Sequence, residues 1–169
     1  MNSDDAQRGF IDRIDQHRGI LFKVAAAYCP NPSDREDLIQ ETVAQLWRSY
    51  RRFDGRSTFS TWMYRIAMNV AIGYLRKEKR NPRSVASAET ASLQQIPEPR
   101  FQDDERVGVL RALIASLPPL DRALMLLYLD DYPYAEIAAT LGISESNVGT
   151  KIARIKERFK RDAPHLIAS

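Results

Sequence analysis

Residues 134–161 read YAEIAATLGISESNVGTKIARIKERFKR, and this stretch decides the fold. Tyr134, Ile137, Ala138 and Leu141 recur at helical spacing and line one side of a short helix. Gly142 suits the left-handed position that closes a helix. Ile143 fills the corner, and Ser144 carries a hydroxyl that can cap the next helix. That second helix packs through Val148, Ile152, Ile155 and Phe159. Helix, glycine corner and helix together make a helix-turn-helix unit. Asn147, Lys151, Arg154, Arg158 and Arg161 follow one another at steps of four, three, four and three, giving one polar face with four cations and an amide.

Such a face suits the DNA major groove, where arginine and lysine donate to guanine and asparagine reads adenine. The helix start, Ser144 to Lys151 with Ser146, Asn147 and Thr150, is expected against base edges. Arg154 continues the face, and Arg158 and Arg161 are expected over phosphates. A basic stripe alone is more simply a solvated face; its place on the second helix of a tight corner favours DNA. Gly149 stands out inside this helix, where glycine costs roughly 1 kcal/mol. Close approach of DNA or close helix packing would each account for it.

Working outward, residues 119–129 carry Leu120, Leu124, Leu127 and Tyr128 as an inward face, started by Pro118-Pro119. Met125, Leu126 and Leu129 are most simply core as well. Val109, Leu110, Leu113, Ile114 and Leu117 form the helix before it. Residues 121–140 hold four acids and one base, so basicity is concentrated on the second helix of the unit. Residues 81–105, NPRSVASAETASLQQIPEPRFQDDE, hold three prolines and only four large apolar residues, and read as a flexible linker. The expected organisation is all-α: two small helical domains, 1–80 and 106–169, joined by this linker.

In the first of these, Phe10, Ile14, His17, Leu21, Val24 and Tyr28 are spaced as one face of a single helix ended by Pro30 and Pro32. His17 on that stripe is most simply a packed histidine. Ser33 stands at capping-box spacing from Glu36 and is expected to start a second helix, which Asp54-Gly55 breaks off from the third. The third starts near Ser60 and packs through Ile66, Ala67, Val70, Ala71, Tyr74 and Leu75. The second helix carries Glu36, Asp37, Gln40, Glu41 and Gln45 on its outer side, and the third carries Arg65, Asn69, Arg76 and Arg80 on one face. Between them lies a basic loop with aromatics, residues 53–62, suited to single-stranded DNA by phosphate attraction and base stacking.

Composition sets the bounds. The chain has 169 residues, a net charge of +3 and 44% hydrophobic residues, enough for packed cores. The single cysteine, Cys29, excludes an internal disulfide and a Cys-based zinc site. The acidic start Met1-Asn2-Ser3-Asp4-Asp5 is unlike a secretory signal, and no apolar run approaches the ~20 residues of a membrane span. A soluble, cytoplasmic chain without membrane insertion is expected. No phosphate-binding glycine loop, nucleophile elbow or zinc-protease helix is present, so neither enzyme chemistry nor a cofactor is expected.

The chain resembles bacterial RNA polymerase sigma factors of the extracytoplasmic-function (ECF) type. Asp34-Arg-Glu-Asp-Leu-Ile-Gln-Glu-Thr42 resembles the helix that grips the clamp helices of the polymerase β′ subunit. Arg52-Phe-Asp-Gly-Arg-Ser-Thr-Phe-Ser-Thr-Trp62 resembles the segment that melts the −10 promoter element and holds an unstacked base. Tyr64-Arg-Ile-Ala-Met-Asn69 through Arg80 resembles the −10 recognition helix, and Tyr134 through Arg161 the unit that reads the −35 element. The four segments come in the family's order, and the resemblance covers about residues 8–163.

The resemblance implies a factor that binds core RNA polymerase (β′ clamp helices and β subunit) and promoter DNA, with an anti-sigma factor as a further partner. It places the polymerase contact at Asp37, Gln40 and Glu41. It places the −10 contact at Arg56, Ser57, Phe59 and Thr61, supported by Arg65, Asn69 and Arg76. The −35 contact falls at Ser144, Ser146, Asn147, Thr150, Lys151, Arg154 and Arg158. Trp62 is expected mainly in the core, with Phe59 open between core and base stacking. Lys77, Lys79, Arg80 and Arg83 suit phosphates or simply the helix dipole. The alternatives are a helix-turn-helix regulator acting without polymerase and a helical adaptor for acidic proteins.

Overall fold

The computed structural model describes residues 2–80 and 105–167; the linker expected over 81–105 lies outside the described residues save Glu105, as does Arg83. Among the described residues the fold is all-α, with no strand. The helices are α1 (Ser3–Gln16), α2 (Arg18–Tyr28), α3 (Pro32–Ser49), α4 (Phe59–Arg80), α5 (Glu105–Ala115), α6 (Pro119–Leu129), α7 (Tyr134–Leu141) and α8 (Glu145–Ile167). A single 3-10 turn, Tyr50–Arg52, extends α3.

The single helix expected over 10–28 is two. The chain breaks at His17, whose backbone (φ −120°, ψ 15°) leaves the helical region. Helix α1 is amphipathic, with Phe10 and Ile14 buried. In α2, Ile20, Leu21, Phe22, Val24, Ala25, Ala27 and Tyr28 are all buried, so apolar residues cover nearly its whole circumference. A helix of that kind needs neighbours on several sides. Helices α3 and α4 supply them from the N-terminal half, α5 and α6 from the C-terminal half. One hydrophobic cluster therefore runs through both halves.

Helix α3 starts earlier than the Ser33–Glu36 spacing implies. Asn31 is the cap, its side-chain oxygen accepting from the Ser33 amide at 2.9 Å, and Pro32 occupies the first turn, where its missing N–H costs nothing. Gly55 takes φ +76° in the loop before α4. Thr58 caps α4: its hydroxyl accepts from the Thr61 amide at 3.2 Å and its carbonyl from the Trp62 amide at 3.1 Å.

The helix-turn-helix forms as its spacing predicts. Gly142 adopts φ +71°, and the amides of Gly142 and Ile143 both donate to the Ala138 carbonyl at 2.9 and 3.1 Å. The Ser144 hydroxyl accepts from the Asn147 amide at 3.0 Å. Val148, Ile152 and Ile155 are buried, with Phe159 packed beside them. In α6, Met125 and Leu126 are buried as expected, but Leu120 at 36% and Leu129 at 43%, expected inward, are exposed.

A methyl group at Gly142 would meet no atom within 4 Å, so its cost is backbone conformation alone. Gly142→Ala is expected to destabilise the fold by about 1–2 kcal/mol, the penalty of a left-handed L-residue. Urea denaturation followed by circular dichroism checks this; an unchanged midpoint would mean that the corner relaxes.

Candidate nucleic-acid interface

The expected site residues occupy three surfaces. On α3, Glu41 is exposed and Asp37 and Gln40 are partly so. Glu41 and Gln45 both hold Arg48, through Oε1 atoms at 3.3 and 3.1 Å. This outer face combines acids and amides with one tethered cation.

The second surface runs from the 53–62 loop along α4. Asp54 makes a tight turn: its carboxylate accepts from the Arg56 amide at 3.0 Å and pairs with the Arg56 Nε at 3.1 Å. The Arg56 side chain is still 91% exposed. Beyond it, Arg65, Asn69 and Arg76 are exposed along α4, at the spacing of one stripe. The opposite side buries Met63, Tyr64, Ala67, Met68 and Ala71.

Two expected −10 residues are placed otherwise. Phe59 is 9% exposed and packs against Phe53, Trp62 and His17, at ring-centroid distances of 5.7, 5.3 and 5.5 Å. The Arg13 guanidinium lies 5.5 Å from its ring centre. These neighbours leave no open ring face for a base, so Phe59 is a buttress of the loop. Thr61 is 3% exposed; its hydroxyl accepts from Thr58 at 2.9 Å and donates to Glu136 of α7 at 3.2 Å. Ser57 remains partly exposed.

The seam between the halves holds more polar residues that the sequence pattern did not single out. Lys23 reaches Asp130 at 2.7 Å, and the Tyr64 phenol donates to the same carboxylate. Burial, then this bond, pushes the Tyr64 phenol well above its ordinary range, so it stays a donor. Tyr132 donates to the Ser60 hydroxyl at 2.9 Å. At the other end, the Tyr28 phenol donates to the Pro119 carbonyl at 2.7 Å, and Arg122 donates to the Ala27 carbonyl at 3.3 Å. No local pattern announces these contacts, because their partners are 66 to 107 residues apart in the chain.

The third surface is the start of α8. Ser144, Ser146, Asn147, Thr150 and Arg154 are exposed. Lys151 and Arg158 are not equally free. Lys151 pairs with Asp121 of α6 at 3.2 Å, with the two side chains only 27% and 21% exposed. Arg158 pairs with Asp162 at 3.4 Å and reaches the Ser116 carbonyl at 3.5 Å. At about 100° per residue, these two lie closer to the buried stripe of Val148, Ile152 and Ile155 than Asn147 and Arg154 do. The basic stripe thus straddles the border between packing and solvent. At Gly149 an added methyl would meet Tyr134 Cε2 at 3.7 Å, ordinary contact, so helix packing does not demand glycine there.

No described helix is long and apolar enough to cross a membrane. No cluster of three or more metal-ligating side chains occurs among the described residues. Cys29 is buried, and burial, then the nearby Asp34 and Glu78 carboxylates, pushes its thiol up to about 12.

Comparison with known proteins bears on these surfaces. Residues 13–81 match sigma-70 region 2, and residues 108–159 match sigma-70 region 4. The ECF RNA polymerase sigma factor SigW of Bacillus subtilis is 28% identical over 168 residues, covering 92% of this chain and 89% of SigW. The ECF RNA polymerase sigma-E factor of Escherichia coli K12 is 31% identical over 172 residues, covering 95% of this chain and 90% of that factor. Among solved structures, the fold is similar to the sigma factor RpoE of Bartonella quintana, determined with the anti-sigma factor NepR (TM-score 0.70, 19% identity, 91% of this chain and 96% of that one). It is also similar to CnrH, determined with the cytosolic domain of CnrY (TM-score 0.64, 20% identity, 92% and 87%).

The Asp121–Lys151 pair generates a prediction. Asp121→Asn should free the Lys151 ammonium for phosphate while costing about 1 kcal/mol or less, because the pair is partly solvated. The affinity of the chain for a random-sequence duplex should then fall more steeply with salt, by up to about 0.9 in the log–log slope. Fluorescence anisotropy across a potassium chloride series measures it. An unchanged slope would mean that Lys151 leaves Asp121 for DNA in the unaltered protein.

Proposed function

The chain belongs to the ECF group of RNA polymerase sigma factors, and from that premise we propose how its surfaces divide the work. As a sigma factor it is not an enzyme: it binds core RNA polymerase and directs promoter recognition and transcription initiation. In this reading residues 1–80 and 106–169 act as separate domains joined by residues 81–105. Asp37, Gln40 and Glu41 on α3 meet the polymerase, their carboxylates and amides facing basic groups of the clamp. Arg56 and Ser57 in the loop, with Arg65, Asn69 and Arg76 along α4, follow the non-template strand at −10. Ser144, Ser146, Asn147, Thr150 and Arg154 enter the −35 major groove, flanked by Lys151 and Arg158.

The observation that carries this assignment is exposure. The acids of α3, the guanidinium groups of Arg56, Arg65 and Arg76, and the start of α8 stay accessible, while the same helices bury their opposite sides. Capturing a base from the duplex costs a few kcal/mol of lost stacking. With Phe59 and Trp62 packed into the loop, phosphate attraction and polar contacts supply most of the return, and the polymerase supplies the positioning. Work alongside polymerase places the protein in the cytoplasm. An anti-sigma factor is a partner we infer, since a sigma factor of similar fold, RpoE of Bartonella quintana, was determined with one.

The test is reconstitution with core polymerase. Purified chain and core enzyme should give specific run-off transcripts from pooled genomic promoter fragments, each requiring both components. Asp37→Ala with Glu41→Ala should weaken core binding about tenfold or more, the range of a few interface charges at 1–2 kcal/mol each. Arg154→Ala should leave core binding intact and reduce transcription from −35-dependent promoters. Normal core binding by the double variant would overturn the α3 assignment. Loss of core binding by Arg154→Ala would overturn the division of labour.

A further inference from the structure

At the foot of the 53–62 loop three rings close on one another. Phe53 and Phe59 have centroids 5.7 Å apart, and Trp62 lies 5.1 Å from the first and 5.3 Å from the second. The two phenylalanines meet edge to face at 89°, so they staple the ends of the loop together. Phe59 is buried, and Phe53 and Trp62 are half-buried. The outermost layer of this stack is not a ring. It is the guanidinium of Arg13, from the last turn of α1, which lies over both phenylalanine rings, 5.8 Å from the centre of Phe53 and 5.5 Å from that of Phe59. Arg13 is exposed. Its neighbours one turn away on α1, Gly9, Phe10, Gln16 and His17, include no acid. Among the described residues no carboxylate pairs with it.

This setting differs from that of other arginines in the chain. Arg35 and Arg122 donate to backbone carbonyls, Arg48 and Arg158 are held by acids, and Arg56 is pinned to Asp54. Arg13 is backed by rings on one side and exposed on the other. A guanidinium is planar and weakly hydrated, and it stacks on flat π-systems. Unstacked bases are held on guanidinium planes as well as on aromatic rings.

We propose that Arg13 is the platform on which the captured base of the −10 strand stacks, with Phe53 and Phe59 supporting the guanidinium from beneath. The proposal rests on the assignment of the 53–62 loop to the −10 strand. The aromatic rings of that loop are engaged with one another, so a base entering it meets the plane of Arg13. Pre-organisation favours Arg13 over Arg56: two rings hold its plane before DNA arrives, whereas the Arg56 side chain is 91% exposed. Arg56 then serves phosphate, and Arg13 serves the base. Every base has a π-face, so the contact adds affinity without choosing sequence.

The experiment uses holoenzyme, reconstituted from the full chain and core polymerase. Its template is a fork duplex from a promoter recovered in the run-off assay, with the −10 non-template strand left single. Arg13→Lys keeps a charge over the rings and removes the plane. This variant should bind core polymerase normally and the fork about tenfold more weakly, the range of one lost base stack. Abasic sites are then placed at each −10 position in turn. At one position the unaltered and Arg13→Lys holoenzymes should become equal, because the base that Arg13 holds is gone; at the others the difference should persist. Arg56→Ala is the control: its cost should be the same on intact and abasic forks, since the phosphates remain.

Equal binding of the intact fork by the unaltered and Arg13→Lys holoenzymes would overturn the proposal, because charge alone would then suffice. So would a deficit that persists at every abasic position, which would make Arg13 a support of the loop and not a contact of the base. Holoenzyme carrying Arg56→Ala and Arg65→Ala separates this proposal from the assignment beneath it. If that holoenzyme releases the fork while Arg13→Lys does not weaken it, the −10 assignment stands and the platform fails. If Arg13→Lys shows the base-dependent loss while the double substitution changes nothing, the platform stands and the assignment of Arg56 and Arg65 fails.

Discussion

Helix α2 cannot be left with a long side in water, and much of the structure follows from that constraint. Burying a side chain of valine, leucine or phenylalanine size is worth about 1.5–3 kcal/mol. Seven of the eleven residues of α2 are buried. Three helices within the N-terminal half, α1, α3 and α4, do not close the structure alone; α5 and α6 of the other half also lie against α2. The apolar part of the seam gives adhesion without direction. The polar contacts at its two ends, Tyr28 to Pro119 at one and Lys23, Tyr64 and Asp130 at the other, give it a register.

Charge is used in two ways on the same helices: some cations are paired with acids, and others are left to solvent. Arg48 and Arg158 are held by acids on their own helices, and Lys151 by Asp121 across a helix pair. Arg65, Asn69 and Arg76 stay exposed along α4, as Arg154 does on α8. Arg56 is an intermediate case, anchored through its amide and Nε yet almost wholly in solvent. A guanidinium fixed at one edge loses less freedom on meeting a phosphate. That economy suits a loop whose aromatic rings are already engaged with one another.

The features legible in the sequence were those set by neighbours in the chain. Gly142 closing α7, Ser144 capping α8 and the buried stripe of Val148, Ile152 and Ile155 follow from local backbone and periodic rules, and the four family-like segments carried the function. The misses have distant causes. The break at His17 leaves no trace in the spacing of Phe10 to Tyr28, which matches a single amphipathic helix. Asn31 displaced Ser33 as the cap of α3 because Pro32 already fits the first turn. The Lys151–Asp121 pair and the packing of Phe59 depend on which helix lies alongside, and periodicity carries no such information.

Helix α4 joins these themes. Its inner side is core, its outer stripe carries Arg65, Asn69 and Arg76, and its first turn lies at the seam between the halves. Ser60 and Thr61, in that first turn, have hydroxyls held by Tyr132 and Glu136 of the C-terminal half. Each such bond is worth little alone, since hydrogen bonds lost on one side are regained on the other. Asp130 at the end of α6 and Glu136 in α7 therefore do more than offset the basic charge of α8: they join the C-terminal half to Lys23, Tyr64 and Thr61 of the N-terminal half.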